Sequence, residues 1–385
     1  MINVAIVGTG AIAASHIEGF VKFPDQCRIV ALVNRTSKRA ESYKERYKLI
    51  DAKIYSSIEE MIDSGVSIDL AAVCLPPSMH CEASITLFNA KINVLCEKPL
   101  ATSVEECDRM IDISKKNGVF LSTVSQNRFN LDVVKVHELI QSGLIGKLYF
   151  GQSASLWWRG DNYYKLHWRG TWESEGGGCT LNHGIHHLDL LLWFMGKAAS
   201  VTAMVDNQAH GNSEAEDISI GIVKFKNGAI GNIVNSLLHH GEGQTLQIDA
   251  EKASVSLPLH IAVSAQRENG FPDDDIKKSE ELRNFCDAIS TEYTGHTAQI
   301  KDVLDAITDG REPLVTGEDG RSAIELIMAM YQSAFTGHQV QLPMTKDDAM
   351  YSNAGILAYA KRFNKKKVSV ESFSDDTMTN IGGTL

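Results

Sequence analysis

The sequence contains no run of about 18 apolar residues that could cross a membrane. Its start has no basic segment followed by an apolar stretch, so we expect no signal peptide. Positive charge is also scarce, because the formal net charge is −11 at pH 7 and the pI is near 5.6. This balance argues against nucleic acid or an anionic membrane as a partner, since both require a basic surface. A small anionic ligand remains compatible with it, because a local Arg cluster or a helix N-terminus is enough to bind one.

The cysteines provide neither a C-x-x-C motif nor a regular spacing, and their number, seven, is odd. Several lie in apolar runs such as 71–74 and 93–96, where a free cysteine behaves as a small hydrophobic residue. We therefore expect a reduced, cytoplasmic protein. The cysteines are Cys27, Cys74, Cys81, Cys96, Cys107, Cys179 and Cys286.

At 385 residues the chain is too long for one ordinary hydrophobic core. Hydrophobic residues make up 43% and charged residues 22%, which is typical of a globular protein. No internal repeat, low-complexity block or long linker is present. The changes of pattern described below divide the chain into a first domain at 1–125, a second domain at 126–345 and a C-terminal extension at 346–385.

The first residues predict a strand followed by a phosphate-binding turn. Residues 2–7 are apolar and rich in β-branched side chains without polar alternation, the pattern of a parallel strand buried on both faces. A G-x-G-x-x-A motif follows at 8–13. Its first glycine allows a tight turn, its second lets the backbone approach a pyrophosphate, and its alanine lets helix and strand pack closely. The next helix would present its unpaired N–H groups to the phosphates.

Strands and helices then alternate up to residue 125. Strands are predicted at 28–33, 68–75, 92–96 and 119–125, and helices at 37–47, 58–64, 78–90 and 104–117. Alternation of this kind indicates βαβ units and a parallel sheet. We therefore predict an α/β protein whose first domain is a Rossmann, doubly wound parallel sheet that binds a dinucleotide.

The residues after the second strand bear on which dinucleotide is bound. An acidic residue there would bond the ribose 2′-hydroxyl of NAD and repel the 2′-phosphate of NADP. This chain has neutral Asn34 followed by Arg35, Thr36 and, further on, Arg39. Asn34 can bond a hydroxyl and Arg35 can pair with a phosphate, whereas the Thr36 hydroxyl equally suits a helix cap. The pattern leans toward NADP and leaves NAD open.

Four motifs in combination resemble the Gfo/Idh/MocA oxidoreductases, the family of glucose–fructose oxidoreductase and inositol dehydrogenase. They are the glycine motif at 8–13, Pro-Pro-Ser-Met-His at 76–80, Glu-Lys-Pro at 97–99 and a Gly-Gly-Gly…His segment that begins at 176. The resemblance spans roughly residues 1–345 and implies that Lys98 lies beside the nicotinamide ribose and the substrate hydroxyl. A cation there would stabilise the alkoxide that develops as the hydroxyl proton is lost, although a Lys before Pro99 can also simply close a turn in solvent. The residues expected to contact the cofactor are Gly8, Thr9, Gly10, Ala11, Ile12, Asn34, Arg35, Thr36, Arg39, Leu75, Pro76, Pro77, His80, Glu97, Lys98, Gln126 and Asn127.

The pattern changes after residue 126, where longer strand-like stretches follow one helix near 131–142. Strands are predicted at 147–158, 201–205, 218–225, 229–236 and 245–249, with a tight-hairpin signal at Asn227-Gly228. We predict a C-terminal α+β domain with a mainly antiparallel sheet. Because an open sheet of this kind usually seeks a partner, we expect a homo-oligomer, either a dimer or a tetramer.

The segment 175–189 is the chemically richest part of the second domain. Asn182, His186 and Asp189 recur at helical spacing and are expected to share a face. The resemblance implies that His186 is the acid/base of the reaction and that position 182 is often Asp. Asn182 cannot take a proton at neutral pH, so acid/base work would fall on His186 and Lys98, while Asn182 and Arg128 help to hold a sugar ring.

The cluster of histidines also raises a metal alternative. His183 and His187 are four residues apart, as two zinc ligands would be. No Glu lies between them as in H-E-x-x-H, and hydride transfer to nicotinamide needs no metal. We therefore expect no metal and interpret His183 and His187 as ordinary core or interface histidines.

Four of the five tryptophans lie within residues 157–172, interleaved with basic side chains. Flat aromatic faces suit the C–H faces of a sugar, and an Arg there could bind a carboxylate or phosphate on it. Core packing, an oligomer interface and single-stranded nucleic acid are the alternatives, of which the net charge argues against the last. The resemblance adds a His in the segment 295–299 that reaches the substrate. The predicted substrate-binding residues are Trp158, Arg159, Tyr163, Trp168 and Arg169 in this wall and, from the resemblance, His296.

These residues predict an NAD(P)-dependent enzyme that exchanges hydride with a secondary hydroxyl of a sugar, sugar nucleotide or cyclic polyol. One alternative is a glycosidase that uses tightly bound NAD for transient oxidation. Others are a trans-dihydrodiol or aldehyde reductase of the same family, and a sensor that binds the nucleotide without catalysis. For the extension at 346–385 we expect a helix near 354–363 and otherwise an exposed appendage or an oligomer contact.

Overall fold

The first sheet is built from six strands near the start of the chain. The computed structural model describes residues 1–371. The strands are β1 (Ile2–Val7), β2 (Cys27–Val33), β3 (Lys53–Tyr55), β4 (Leu70–Val73), β5 (Asn93–Cys96) and β6 (Leu121–Thr123). They lie in the order β3-β2-β1-β4-β5-β6, and every neighbouring pair is parallel. The order reverses between β1 and β4, so the crevice at their carboxyl ends is where an open α/β sheet binds ligands. The predicted Rossmann sheet is confirmed.

The helices of this part are α1 (Ala13–Phe20), α2 (Ser37–Arg46), α3 (Ile58–Asp63), α4 (His80–Asn89) and α5 (Val104–Asn117). Helix α1 begins directly after the glycine turn and buries Ala13, Ile17 and Phe20 against the sheet. Strand β4 is buried along its whole length, as the unbroken apolar run predicts for a strand covered on both faces.

Residues after 125 form a second sheet of eight strands. The further strands are β7 (Leu148–Trp158), β8 (Ala198–Asp206), β9 (Ile218–Phe225), β10 (Ile230–Ser236), β11 (Leu238–Ala250), β12 (Ser254–Leu257), β13 (His260–Ala262), β14 (Ser264–Gln266), β15 (Pro272–Asp274) and β16 (Val340–Gln341). The sheet order is β13-β12-β11-β7-β10-β9-β8-β16. Only β7 and β10 pair in parallel within it, so the prediction of a mainly antiparallel sheet is confirmed. Strands β14 and β15 form a separate hairpin.

Helices cover one face of the second sheet and tie it to the first. They are α6 (Leu131–Gln141), α7 (Trp172–Glu175), α8 (Ile185–Met195), α9 (Ile276–Asp287), α10 (Gly295–Asp309), α11 (Gly317–Thr336) and α12 (Asn353–Tyr359). Helix α8 packs on β7, where Gly151 leaves room for Leu191 and Met195. Helix α11 packs on β8 and also reaches the first sheet, where Gly320 lies against Thr123 of β6.

Helix α10 also packs on the first domain although it comes late in the chain. Gly19 of α1 has no Cβ, and the Ile300 side chain of α10 fills that space. Two polar pairs extend the contact, Lys22 with Thr297 and Gln26 with Asp305. The division of the chain at residues 125 and 345 stays a prediction, because helices from the second segment complete the packing of the first.

The expectation of an exposed appendage after residue 345 is wrong for part of the segment 350–360, whereas most of residues 361–371 are exposed. Met350, Tyr351 and Ile356 are buried in the main hydrophobic core. The predicted helix is present but shorter, as α12, and Trp172 of α7 donates a hydrogen bond to the carbonyl of Lys361 beyond it. Tyr351 donates to Asp108 on α5, the Met350 N–H donates to Gln332 on α11, and α12 packs on α7, so the start of the extension is held by these three helices. Residues 372–385 lie outside the described part.

No helix within residues 1–371 combines the length and the apolar character needed to cross a membrane. All seven cysteines are buried and free, as expected from their apolar surroundings.

Candidate active site

Glu97 follows β5 directly, and its carboxylate is held by histidines from two helices. Glu97 Oε1 lies 2.8 Å from His16 Nε2 on α1 and 3.8 Å from His296 Nε2 on α10. Burial would raise the pKa of Glu97, but the hydrogen bond and charge of His16 lower it to about 2. Burial likewise opposes the charge on His16, but Cys74 and Glu97 outweigh it and raise the pKa of His16 to about 10. Glu97 is therefore an ionised carboxylate in a fixed position at the carboxyl edge of the first sheet.

The neighbouring Lys98 points toward the second domain instead. Its Nζ donates to the carbonyl of Asn182 at 3.4 Å. Burial lowers the pKa of Lys98, Glu97 opposes this shift, and the charge of Arg169 adds to it. A small cavity of about 10 Å³, enough for roughly one water molecule, brings Lys98 and His186 together across the two domains. It is lined by Lys98, Leu100, Thr123, Val124, Ser125, Ile185, His186, Asp189, Gly320 and Ala323.

Asn182 and His183 lie in a π-helical turn, Thr180–Gly184, that leads into α8. Such turns interrupt regular helical spacing and are frequent at functional sites. His186 and Asp189 share a face, since both line the cavity. The Asn182 side chain instead donates back to the carbonyl of Gly178 at 3.1 Å. Asn182 thus meets Lys98 through its backbone, and its amide is engaged within the turn.

A buried carboxylate holds this turn in place. Glu216 accepts hydrogen bonds from the backbone N–H groups of Gly178 and Thr180, both at 3.0 Å, and from the Tyr331 hydroxyl at 2.9 Å. A Cβ at Gly178 would overlap the backbone of Glu216, so the glycines serve close packing within the chain. Burial raises the pKa of Glu216 to about 7.

The histidines around Lys98 are neutral at neutral pH. The pKa of His186 lies well below its usual value because of burial and then because of the charge of Lys98. Burial and the charges of Arg169, Arg159 and Lys98 do the same to His183. A neutral imidazole at 186 can accept a proton from a substrate hydroxyl.

The metal alternative built on His183 and His187 gains no support. Burial lowers the pKa of His187 to about 4, and neither of its ring nitrogens has a hydrogen-bond partner within residues 1–371. In that part of the chain, the side chains near enough to share a metal ion are His16, Glu97 and His296. The 2.8 Å contact between His16 and Glu97 is already a hydrogen bond, so this group holds the Glu97 carboxylate.

The aromatic segment forms a wall beside His183. The Tyr163 ring lies 5.7 Å from the His183 ring, and the Arg169 guanidinium stacks 4.1 Å from the rings of both Tyr163 and Trp168. Arg169 donates to the buried Glu175 at 2.8 Å, while its Nε is buried without a partner within residues 1–371. Arg159 lies over Tyr163 at 5.8 Å. The structure brings this aromatic and cationic wall toward the same centre as Lys98.

Two predicted substrate-binding residues lie away from this centre. Trp158 is half exposed at the end of β7, where its ring meets His240. His296 lies beside Glu97 and His16, on the cofactor side.

Arg128 does not have a free guanidinium for a sugar ring. It is buried and donates to Asp189 at 2.6 and 2.8 Å and to Asp319 at 3.2 Å. The guanidinium also stacks over Trp193 at 5.1 Å. Because two carboxylates and an aromatic ring occupy it, we reassign Arg128 from ring binding to the positioning of α8.

The glycine turn has the form that a pyrophosphate requires. Gly8 has a φ of +91°, and a Cβ there would overlap the carbonyl of Cys74. Nothing lies within 4 Å of a Cβ placed on Gly10, so backbone is approachable at that point. Thr9 Oγ1 and, after β6, Gln126 Oε1 are buried without partners within residues 1–371. The predicted residues Ala11 and Ile12 complete the turn before α1, and Asn127 is buried in the 3-10 turn that begins at Gln126. These residues fit a dinucleotide.

At the end of β2, Asn34 braces its own turn. Its amide nitrogen donates to the Thr36 carbonyl at 2.6 Å, and its oxygen accepts from the backbone N–H of Thr9 at 3.4 Å. Arg35 and Arg39 are exposed beyond it. No carboxylate stands in this turn to repel a 2′-phosphate.

The segment after β4 is tied to the segment after β5. His80 is fully buried, with its ring nitrogens 2.8 Å from the carbonyl of Leu75 and 2.9 Å from that of Pro99. The expected cofactor contact of His80 is therefore replaced by a structural one. Leu75, Pro76 and Pro77 stay at the sheet edge where a cofactor would lie.

Sequence reasoning missed His16 and undervalued His183. His16 is completely buried in the apolar face of α1, between Ala13 and Ile17. A polar residue in that stripe is the signal that could have revealed it, because buried polar groups require partners. The surroundings of His183 are formed by the segment 157–172, and no local sequence pattern indicates that this segment packs against His183.

Comparison with known proteins adds evidence independent of this geometry. Residues 2–125 match the family model "Oxidoreductase family, NAD-binding Rossmann fold", and residues 137–342 match its C-terminal alpha/beta domain. Myo-inositol 2-dehydrogenase of Thermotoga maritima is 27% identical over 88% of this chain and 98% of its own length. D-glucoside 3-dehydrogenase of Escherichia coli is 25% identical over 89% and 97%. The WlbA dehydrogenase of Bordetella pertussis, solved with NADH and UDP-GlcNAcA, is 26% identical over 89% of this chain and 98% of its own, with a TM-score of 0.77.

These relatives do not support the lean toward NADP, because the matching model is an NAD-binding one and the WlbA structure contains NADH. The two models cover most of the sequence in the expected order, and both predicted sheets are present. The chain belongs to the Gfo/Idh/MocA family of oxidoreductases and carries its NAD-binding Rossmann domain.

Proposed function

We propose that this enzyme is an NAD-dependent dehydrogenase that acts on a secondary hydroxyl of an acidic sugar, free or carried on a nucleotide. The observation that carries the proposal is the convergence of Lys98 and His186, from different domains, on one cavity at the carboxyl edge of the Rossmann sheet. Named relatives that act on a cyclic polyol and a glucoside support a sugar-like substrate.

The cofactor would be held by the open glycine turn at Gly10, by Thr9 and by Gln126, whose buried oxygens lack partners within residues 1–371. When bound, nicotinamide supplies a hydride acceptor or donor. The ionised Glu97 is placed to accept hydrogen bonds from ribose hydroxyls, because His16 fixes it at the sheet edge.

Lys98 and His186 divide the handling of the hydroxyl proton. Lys98 offers a cation that stabilises negative charge on the substrate oxygen. His186 is neutral and can accept the proton from that oxygen, and in the reverse direction it returns it.

The positive charges around the wall are the reason for proposing an acidic group on the substrate. Lys98, Arg169 and Arg159 approach one centre closely enough to depress the pKa of His183. Arg159 pairs with Glu242 and Arg169 with Glu175, both at 2.8 Å, but the Nε of Arg169 is buried without a partner within residues 1–371, so this guanidinium keeps an unused donor. A carboxylate or phosphate on the sugar would complete the pairing. The WlbA relative, solved with UDP-GlcNAcA, supports an acidic sugar nucleotide.

The test is a panel of matched neutral and acidic sugars with NAD, read by the absorbance of the reduced cofactor. We expect reduction with acidic sugars, and Lys98→Met and His186→Ala should each lower turnover by about 10²-fold or more. NAD affinity measured by calorimetry should change little in both variants, and His338→Ala, an exposed histidine, should behave as the wild type. Full turnover in either variant would refute the roles. Release of free sugar or an altered sugar without net reduction would instead show the transient-oxidation reaction.

We also propose that the enzyme self-associates through the outer face of the second sheet. Met204, Ile220, Ile222 and Ile230 are between 47% and 79% exposed on three neighbouring strands. Apolar patches of this kind on a folded protein mark association surfaces. An isologous contact of this face with a second copy gives a dimer, and a further contact gives a tetramer.

A further inference from the structure

We propose that residues 361–370, beyond the part that matches the family, form a strap that holds the substrate wall in its binding position, with Lys366 as its main positioning residue. The inference rests on the proposed function for its substrate. Its structural part, that the strap orders the wall, can be tested without any substrate.

The wall segment has little regular structure of its own. Between β7 and α7 it contains only the 3-10 turn Asp161–Lys165. Yet this segment carries Tyr163, Trp168 and Arg169, which form the wall beside His183. Irregular backbone of this kind requires partners from elsewhere to stay in one conformation.

Lys366 supplies two of those partners. Its Nζ donates to the carbonyls of Tyr164 at 2.6 Å and Arg169 at 2.9 Å, near the start and the end of the segment 163–169 that carries the wall residues. Burial raises the pKa of Glu175, the carboxyl group that holds the Arg169 guanidinium, and the charges of Arg169 and then Lys366 oppose this shift. Lys366 therefore fixes Arg169 at its backbone and supports it at its side chain.

The strap adds a short piece of parallel pairing further along. Val370 N donates to the Lys165 carbonyl at 2.8 Å, and His167 N donates to the Val370 carbonyl at 3.0 Å. A β-bridge joins Leu166 to Val370. The wall is thus paired to the strap on both sides of Leu166.

Asn212 joins the strap and the wall from a third segment. Its Oδ1 accepts from the backbone N–H groups of Lys367 at 2.7 Å and Val368 at 2.9 Å. Its Nδ2 donates to the carbonyls of Tyr164 at 2.8 Å and Val368 at 2.9 Å. The strap is anchored before this point by Phe363 N, which donates to the Glu214 carbonyl at 2.9 Å.

Removal of the Lys366 ammonium should loosen the wall without changing the catalytic pair. We compare Lys366→Met with Lys365→Met, its exposed neighbour, and with Lys366→Arg, which keeps the charge. Hydrogen exchange of the unliganded protein should show faster exchange within 161–170 in Lys366→Met alone. With an acidic sugar, KM should rise about tenfold while kcat stays within a few fold, because two charge-assisted hydrogen bonds that order the wall are lost. Lys366→Arg should recover part of this loss.

Unchanged exchange within 161–170, with unaltered KM, would overturn the proposal. A fall in kcat without a change in KM would also overturn it, since that would place Lys366 in the chemistry. If none of the tested sugars supports NAD reduction by the wild-type protein, the proposed function fails. The exchange experiment alone then decides whether the strap orders the wall. A melting temperature close to that of Lys365→Met shows that the Lys366→Met protein is folded.

Discussion

Glu97 and Lys98 are adjacent in the chain, yet burial acts on them in opposite ways. Glu97 is bound by His16 and stays ionised, whereas Lys98 is desolvated and its pKa falls. Successive side chains at the end of a strand point to opposite sides. Glu97 therefore faces the carboxyl edge of the first sheet, and Lys98 faces Asn182. Groups that are distant in sequence set the environment of each residue. The Glu-Lys pair in the sequence does not by itself reveal that burial affects the two residues differently.

Asn34→Asp should sharpen the choice of cofactor. A carboxylate at this position would bond the ribose 2′-hydroxyl of NAD and repel the 2′-phosphate of NADP. We expect the affinity for NADP to fall by about tenfold or more, while the affinity for NAD changes little. Calorimetric titration of both nucleotides measures this, with Asn364→Asp, far along the chain, as the control. Equal weakening for both nucleotides would show that Asn34 serves the turn alone.

The N-terminus of α8 is the element on which the site depends most. Its π-helical turn is fixed by Glu216, which reaches it from the start of β9 and also bonds Tyr331 on α11. The Glu216 carboxylate thereby links the N-terminus of α8 to the second sheet and to α11. Because a buried carboxylate is costly to ionise, this junction should respond to pH.

Glu216→Gln should reduce the pH dependence of stability. The folded pKa of about 7 is above the ordinary value of 4.5, so the folded state binds the proton more tightly than the unfolded state. The contribution of Glu216 is therefore fully present below pH 4.5 and is lost as pH rises toward 7, by roughly 3 kcal/mol. The difference in unfolding free energy between wild type and Glu216→Gln, measured in denaturant from pH 4.5 to 8, should fall over that window. Exposed Glu173→Gln is the control and should show no such trend.

Two long elements were predicted with the right bounds, whereas the strands predicted at 245–249 and 201–205 are longer in the structure, as β11 and β8. The helix at 104–117 and the strand at 218–225 match α5 and β9. The short strands β3 and β12 to β16 were missed, because two to four residues carry too little periodicity to be recognised. The π-helical turn at 180–184 was missed for a different reason, since its extra residue per turn depends on the anchor at Glu216.

At the scale of the whole molecule, two helices from the second half of the chain complete the packing of the first. Helix α10 fills the space at Gly19 and brings His296 to Glu97, and α11 lies between the two sheets. The candidate active-site cavity is bounded by residues from four separate regions of sequence. The remaining free surface of the second sheet carries the apolar side chains assigned above to self-association.

Ile222→Glu should disrupt the proposed self-association. The residue is 61% exposed near the middle of the outer sheet face, and a charge there would be buried without a partner in the assembled state. Light scattering after size-exclusion chromatography should show a smaller mass for this variant. Ile50→Glu, at an exposed position in the first domain, is the matched control. An unchanged mass for Ile222→Glu would exclude this face as the interface.

The sequence by itself determined the Rossmann sheet and the glycine turn, because these depend on local periodicity and on a short motif. The family resemblance singled out Lys98 and His186, whose roles stay a proposal. It also indicated the aromatic and cationic wall by its composition. Only the tertiary structure showed that Asp189 and Asp319 bind the Arg128 guanidinium, that His16 bonds Glu97 and that Lys366 donates to the Tyr164 carbonyl. Each of these contacts joins groups that are far apart in sequence. The partner of a buried charge depends on which segments the folded core brings together.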